Sequence, residues 1–360
     1  MSTPNEASEV HPPRPARRFR LVSRSALRRL AILFALIVAG LTHLYWAAIV
    51  MPGASFQGEL PALTESQIAY SSELRSSISV LADAQGGVGR VGNRSTFYPK
   101  RFASAAAWIH DQLIDYGYTQ INEYPVLRGS PVPNLEVVVP GTSLPNQIIV
   151  VGAHFDAFQG TPGADDNASG VAACLALARR AIHKPSARTL KFVFFVNEEP
   201  PTFWTEDMGS WVYAKACRVR NDDITAMMSL ESIGYYSTQP DSQKYPAPLN
   251  RLYPSTGDFI AFVSNYSSRA LNKRAIATFR AETSFPSEGG SPPGWLPGVG
   301  WSDHWSFWQE GYRAFMITDT ATFRNPFYHT PNDRADTLDY DRMARVVEGI
   351  EAVVTDLANN

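Results

Sequence analysis

Cysteine is nearly absent: Cys174 and Cys217 are the only two in 360 residues. That excludes a disulfide framework and any zinc finger or iron–sulfur site built from thiolates. Excess charge of either sign is absent too. The chain has 32 Lys and Arg against 34 Asp and Glu, a formal net −2, which argues against nucleic acid as its partner. No internal repeat interrupts the sequence. What is present suffices for a core, since 44% hydrophobic and only 18% charged residues rule out global disorder. The length fits one large domain with an appendage.

The near-neutral charge averages two regimes. Residues 1–29 carry seven arginines against Glu6 and Glu9, a local +5, while the remaining residues hold 25 basic and 32 acidic side chains, a balance of −7. Between them, residues 30–51 (LAILFALIVAGLTHLYWAAIVM) contain no charge. At ~1.5 Å per residue this run extends roughly 33 Å, enough for the core of a lipid bilayer with some tilt. Arginines on the first flank alone, with Tyr45 and Trp46 toward the other end, predict a single-pass signal-anchor helix over 30–51. Residues 1–29 then form a cytoplasmic arm, and residues 52–360 lie on the extracytoplasmic side, periplasmic or extracellular. A cleaved signal peptide is the rival reading, but its apolar region runs about 7–15 residues, and this one is longer. Arg28-Arg29 has no fuller twin-arginine motif around it.

Beyond the span, apolar spacing predicts helices over 59–84, 100–116, 169–182 and 341–357. Strands are expected over 121–126, 135–139, 147–151, 190–196, 224–230 and 313–317. Several of these are continuous apolar runs of the kind buried on both faces. The alternation predicts an α/β domain, a mostly parallel mixed sheet sandwiched by helices. Residues 86–92 contain a formal G-x-G-x-x-G. A helix precedes it and none starts after it, so it reads as a loop and not a dinucleotide site. Residues 285–300 are rich in Pro and Gly, with Trp295, Trp301, Trp305 and Trp308 around their end; a loop bordering a pocket is expected there.

Ligands of open parallel sheets bind beyond the carboxyl ends of the strands, and the strand exits here are acidic. The first central strand ends in Val-Gly-Ala-His154-Phe-Asp156, followed by Gly-Ala-Asp165-Asp166-Asn-Ala-Ser-Gly. The next exits into Asn-Glu198-Glu199-Pro, the third ends at Ser-Leu-Glu231, and Tyr328-His329-Thr-Pro follows late in the chain. Each piece alone reads as a solvated loop or a packing residue; together they set imidazole and carboxylate at one rim. Such donors without thiolate suit zinc, with manganese or cobalt as substitutes.

This ordered set resembles the co-catalytic di-zinc aminopeptidase family of zinc exopeptidases, which includes bacterial leucyl aminopeptidases, glutamate carboxypeptidase and the single-zinc glutaminyl cyclases. The similarity runs from about residue 71 to the C-terminus and does not cover the arm or the anchor. It implies the phosphorylase/hydrolase-like fold of that family and two zinc ions: His154 and Glu231 on one, Glu199 and His329 on the other, Asp166 bridging. Asp166 is preferred to Asp165 because the family's bridging aspartate directly precedes the Asn-Ala-Ser-Gly segment, and the resemblance implies a cis peptide bond after it. Asp156 would orient the His154 ring. Many members have aspartate where Glu231 stands, which bears on metal spacing.

Two divalent ions against Asp166, Glu199 and Glu231 leave +1, so a bridging hydroxide would neutralise the site. Glu198, beside a ligand without being needed as one, is the expected general base. The expected activity is exopeptidase hydrolysis of the N-terminal peptide bond of peptides. A carboxypeptidase, a glutaminyl cyclase-like acyltransferase with one zinc, and a metal-free binding module of the same fold are the alternatives. Presence of both His154 and Glu231 speaks against the single-zinc enzyme. Asp303 and His304 read equally as pocket residues, with Asp303 on a substrate amino group, or as structural ones. Pairing of Cys174 with Cys217, and the oligomeric state, stay open.

Overall fold

A computed structural model describes residues 23–83, 91–126, 128, 130–247 and 249–360. Most of the basic arm and of the glycine-rich 86–92 segment lies outside the described residues. The chain divides into two compact units, Met1–Trp46 and Ala47–Asn360. The first holds most of helix α1 (Arg24–Ala48), whose Leu, Ile and Phe side chains are exposed all round. By length and composition α1 can cross a membrane.

In the second unit, α2 (Glu65–Leu81) begins where Thr64 and Gln67 cap each other. The Thr64 hydroxyl accepts the Gln67 N–H at 3.2 Å and the Gln67 side chain accepts the Thr64 N–H at 3.1 Å. The expected start at 59 is therefore six residues early. Next come α3 (Pro99–Asp115), β1 (Asn122–Tyr124), β2 (Asn134–Val139), β3 (Leu144–His154), α4 (Gly170–Ala181) and β4 (Arg188–Phe195). They are followed by α5 (Gly209–Arg220), β5 (Asp223–Glu231), β6 (Ile260–Ser264), α6 (Arg269–Glu282), β7 (Ser287–Gly290), α7 (His304–Gln309), β8 (Ala314–Thr318) and α8 (Tyr340–Asn359). Strand β7 lies inside the stretch expected to be all loop.

The eight strands form one mixed sheet in the order β1-β2-β4-β3-β5-β8-β6-β7. β4, β3, β5 and β8 run parallel at its centre, and β6 pairs antiparallel with β8. Side chains alternate as the pleat demands. Ile149, Val151 and Ala153 of β3 join Leu190, Phe192 and Phe194 of β4 under α2, α3, α4, α6 and α8. Ile148, Val150, Val193 and Phe195 face α5 and α7 on the other side. This two-sided cover explains the continuous apolar runs. It also sets Cys174 on α4 and Cys217 on α5 on opposite faces, and both thiols are free.

Candidate metal centre

Three neighbouring parallel strands deliver their acids to one edge. His154 and Glu231 are the last residues of β3 and β5, and Glu198 and Glu199 follow β4 by three and four residues. Three residues flanking or within this edge have left-handed backbone, Asn197 at φ 59°, Ser232 at 46° and His329 at 57°. Non-glycine residues hold that conformation only where their surroundings over-determine it. The His329 ring shows how: it is stacked between Phe158 and Tyr328, with centroids 4.1 and 3.9 Å away.

Two groups of donor atoms result, each within 4.8 Å of one another: His154, Glu198 and Glu231, and Asp166, Glu199 and His329. Asp166 stands between them, one oxygen 3.4 Å from His154 Nε2 and the other 3.0 Å from His329 Nε2. His154 Nε2 is 3.2 Å from Glu231 and 3.8 Å from Glu198, and His329 Nε2 is 3.3 Å from Glu199. The Asp156 carboxylate lies 3.4 Å from His154 Nδ1. All seven residues singled out in the sequence are thus in one cluster.

Asp165 is turned away. Its carboxylate accepts the Gly234 N–H at 2.9 Å and the Asn325 amide at 2.7 Å. The Asp166–Asn167 peptide bond is cis. The Asn167 side chain ties the loop to the end of β5, donating to the Leu230 carbonyl and accepting from the Gly170 and Ser232 amides. At Gly170 only glycine fits, because a Cβ there would stand 2.3 Å from the Leu230 oxygen.

Four supporting residues escaped the sequence reading. Ser302 donates to Glu231 Oε2 at 2.8 Å and accepts from Ser229, while Ser232 donates to Glu231 Oε1 at 2.9 Å. Asp333 accepts the backbone amides of Asp165 and Asp166 at 2.8 and 3.2 Å. Arg94, fully buried, donates to the carbonyls of Leu81, Phe155, Pro162 and Gly163. Asp303 is buried with both carboxylate oxygens unpartnered among the described residues. Burial pushes its carboxyl up to about 7.

The electrostatics describe a place short of positive charge. Burial, and then Asp166, push Glu199 up to about 8. Burial raises Glu198 as well. Burial would raise Asp166 too, but its hydrogen bonds to His154 and His329 hold it below the ordinary carboxylate range. His329 resists its own burial and rises to about 10 beside Asp166 and Glu199. Glu199 Oε1 is buried without a hydrogen-bond partner among the described residues. A buried acceptor of that kind, among clustered carboxylates and imidazoles with no thiolate, is the donor chemistry that borderline divalent cations take. The residues fit a metal.

Beside Glu231 and Tyr328 opens a cavity of about 860 Å³, mouth included, and residues 289–301 form part of its wall. The Pro/Gly-rich stretch therefore borders a pocket, as expected.

Comparison with known proteins matches this geometry to a family. The model described as Peptidase family M28 covers residues 134–354. The uncharacterized protein YfbL of Escherichia coli K12 is 37% identical over 256 residues, 68% of this chain and 77% of YfbL. A probable leucine aminopeptidase of Arthroderma otae is 26% identical over 236 residues, and the alignment spans 56% of that protein and 60% of this chain. Among solved structures, LapB from Legionella pneumophila shares the fold with a TM-score of 0.65 at 20% identity, over 86% of this chain and 79% of LapB. With the donor cluster inside a match that covers more than half of its length, the chain belongs to peptidase family M28.

Proposed function

We propose that this chain is a membrane-anchored zinc aminopeptidase. His154 and Glu231 would hold one ion, Glu199 and His329 the other, and Asp166 would bridge them; manganese or cobalt would suit the same donors. The observation that carries the reading is the placement of Asp166, buried, with one oxygen toward each histidine. When bound, two such cations supply Lewis acidity toward a carbonyl and lower the pKa of water.

The chain's own residues do the rest. No hydrogen bond among the described residues holds the Glu198 carboxylate, and burial raises its pKa, the direction a general base needs at neutral pH. Glu198 takes the proton of the attacking water and hands it to the leaving amine nitrogen. Asp156 keeps the His154 ring in place from its Nδ1 side. The serine hydroxyls on both Glu231 oxygens support a complete second group, which favours two ions over a one-zinc acyltransferase or a metal-free binding module. Residues 1–29 are assigned to the cytoplasm, 30–51 to the bilayer and 52–360 to the extracytoplasmic side. Peptides are the substrate, and the oligomeric state is left unassigned.

The test is metal analysis of the purified chain joined to a peptide panel with free and blocked ends. Near two ions per chain, and cleavage only where the N-terminus is free, is the expected result. A stoichiometry near one or none, or cleavage of N-blocked peptides, would overturn the reading.

A further inference from the structure

The cavity beside the metal centre has a floor laid out by strand register. Glu231 on β5 pairs with Thr318 on β8, Thr318 with Ala261 on β6, and Ala261 with Glu288 on β7. Directly paired residues point to the same face of a sheet. Glu231 and Glu288 therefore stand at the two ends of one row, three strand spacings or roughly 14 Å apart. Between them are only the short side chains of Thr318 and Ala261, and all four residues line the cavity.

Glu288 has no structural task that accounts for it. It is half-buried, and no hydrogen bond or ion pair holds its carboxylate among the described residues. Burial pushes its pKa up. Arg280 is the cation whose charge it feels, but Arg280 belongs to the opposite face. There its guanidinium is occupied by the Ser287 hydroxyl and carbonyl and by the carbonyls of Pro52 and Gly53. Several other polar side chains of the cavity are engaged within the fold. Tyr245 donates to the Pro254 carbonyl, Tyr253 to the Gly289 carbonyl, and Gln243 bonds Thr320 and Arg324. Glu288 is a carboxylate with no hydrogen-bond partner among the described residues, at the far end of a largely apolar, tyrosine-walled cavity.

We propose that Glu288 is the specificity residue of this site and selects substrates whose N-terminal residue is lysine or arginine. The inference rests on the aminopeptidase reading and deepens it. With the scissile carbonyl at the Glu231 end, a leucine side chain, reaching roughly 4 Å from its Cα, stops well short of Glu288. A lysine or arginine side chain reaches roughly 6–7 Å, and a charge-assisted hydrogen bond adds ~2.8 Å. The aliphatic stem lies along Thr318, Ala261, Met316 and Val263, and the cationic head meets Glu288 between tyrosine rings, which also favour cations. The substrate's α-amino group stays within about 4 Å of the scissile carbonyl, so Glu288 reads the side chain and not the terminus.

The test uses the full chain in detergent with zinc. Hydrolysis of arginine, lysine, norleucine, leucine and glutamate p-nitroanilides is compared for wild type, Glu288→Gln and Glu288→Lys. Binding of free L-arginine and L-norleucine is measured by calorimetry on the same samples. Arginine and lysine should exceed norleucine in kcat/KM by about tenfold or more. Glu288→Gln should remove that ratio, and Glu288→Lys should move glutamate above arginine. Ratios within one preparation are unaffected by a partly misfolded fraction. A wild-type ratio near one, or a ratio unchanged in Glu288→Gln, overturns the proposal while leaving the aminopeptidase reading intact. If no anilide is cleaved, the aminopeptidase reading falls and calorimetry decides alone. Arginine bound more tightly than norleucine, with the difference lost in Glu288→Gln, supports the role of Glu288; equal binding overturns it.

Discussion

The Asp156 carboxylate accepts the backbone N–H of Glu199 at 3.0 Å, tying the exit of β3 to the exit of β4. Its other oxygen accepts the Glu198 N–H at 3.2 Å and lies 3.4 Å from His154 Nδ1. One fully buried aspartate thus touches both donor groups.

Asp156→Asn keeps the shape but replaces one acceptor with an amide donor facing a backbone N–H. Zinc affinity should fall about 10–100-fold, as when other partners behind metal-binding residues are lost, with the fold retained. Competition with a chromophoric chelator measures the affinity, and circular dichroism checks the fold. Unchanged affinity would show that the His154 and Glu199 positions do not depend on Asp156.

Glu198→Gln removes a proton acceptor without changing side-chain size. Turnover should drop about 10²–10⁴-fold, the usual contribution of a positioned base, while zinc content stays at the wild-type value. Because Glu198 also lies 3.8 Å from His154 Nε2, loss of one zinc together with activity would instead make it a ligand.

His304 provides a pH prediction away from the donor groups. It is fully buried, its Nε2–H donates to the Val299 carbonyl at 2.8 Å, and Nδ1 has no partner among the described residues. Trp308 packs edge-on 4.6 Å away. Burial pushes the ring's pKa down to about 4 from 6.5. The folded state therefore keeps His304 neutral after the unfolded chain has begun to bind a proton. Its contribution to stability is complete above pH 6.5 and is lost as pH falls toward 4, by about 3 kcal/mol in all. Urea unfolding at pH 7.5 and 4.5 should show a smaller acid loss in His304→Gln than in wild type. Equal losses would mean that His304 is protonated in the fold.

The α1 helix predicts a membrane-bound chain. Full-length protein should remain with membranes after alkaline carbonate extraction, and removal of residues 1–51 should release it. A C-terminal alkaline phosphatase fusion should be active, since that reporter folds only outside the cytoplasm. An inactive fusion would reverse the assigned orientation.

His154, Glu198, Glu199 and Glu231 were legible in the sequence because each ends an apolar run or follows one within four residues, and such runs mark buried parallel strands. Asp166 and His329, 12 and 11 residues past the ends of β3 and β8, were legible only through the motifs that carry the family resemblance. Strand β7 was not, because Ser-Glu-Gly-Gly carries no alternation and its pairing with β6 supplies what propensity lacks. Helix α6 was hidden by its charges; only Ala275, Ile276 and Phe279, with Asn272, are buried on it. Helix α2 was drawn too long because Leu60 and Leu63 extend the apolar pattern past the Thr64 cap. Ser302, which bonds a side chain 71 residues away, and Asp333, whose amide partners are 167 and 168 residues away, have no local signature. Their roles exist only once the chain is folded.

Arg94 has a practical bearing on how this enzyme can be cut down. It lies well before residue 134, where the family match begins, yet it fastens the end of α2 to the loop that carries Asp166 through the carbonyls of Leu81, Pro162 and Gly163. A fragment trimmed to the matched region would lose Arg94 together with α2 and α3, and with them the guanidinium bonds to the Phe155, Pro162 and Gly163 carbonyls of the loop. The matched region is therefore not an autonomous unit, and the minimal excisable piece must reach back through α2.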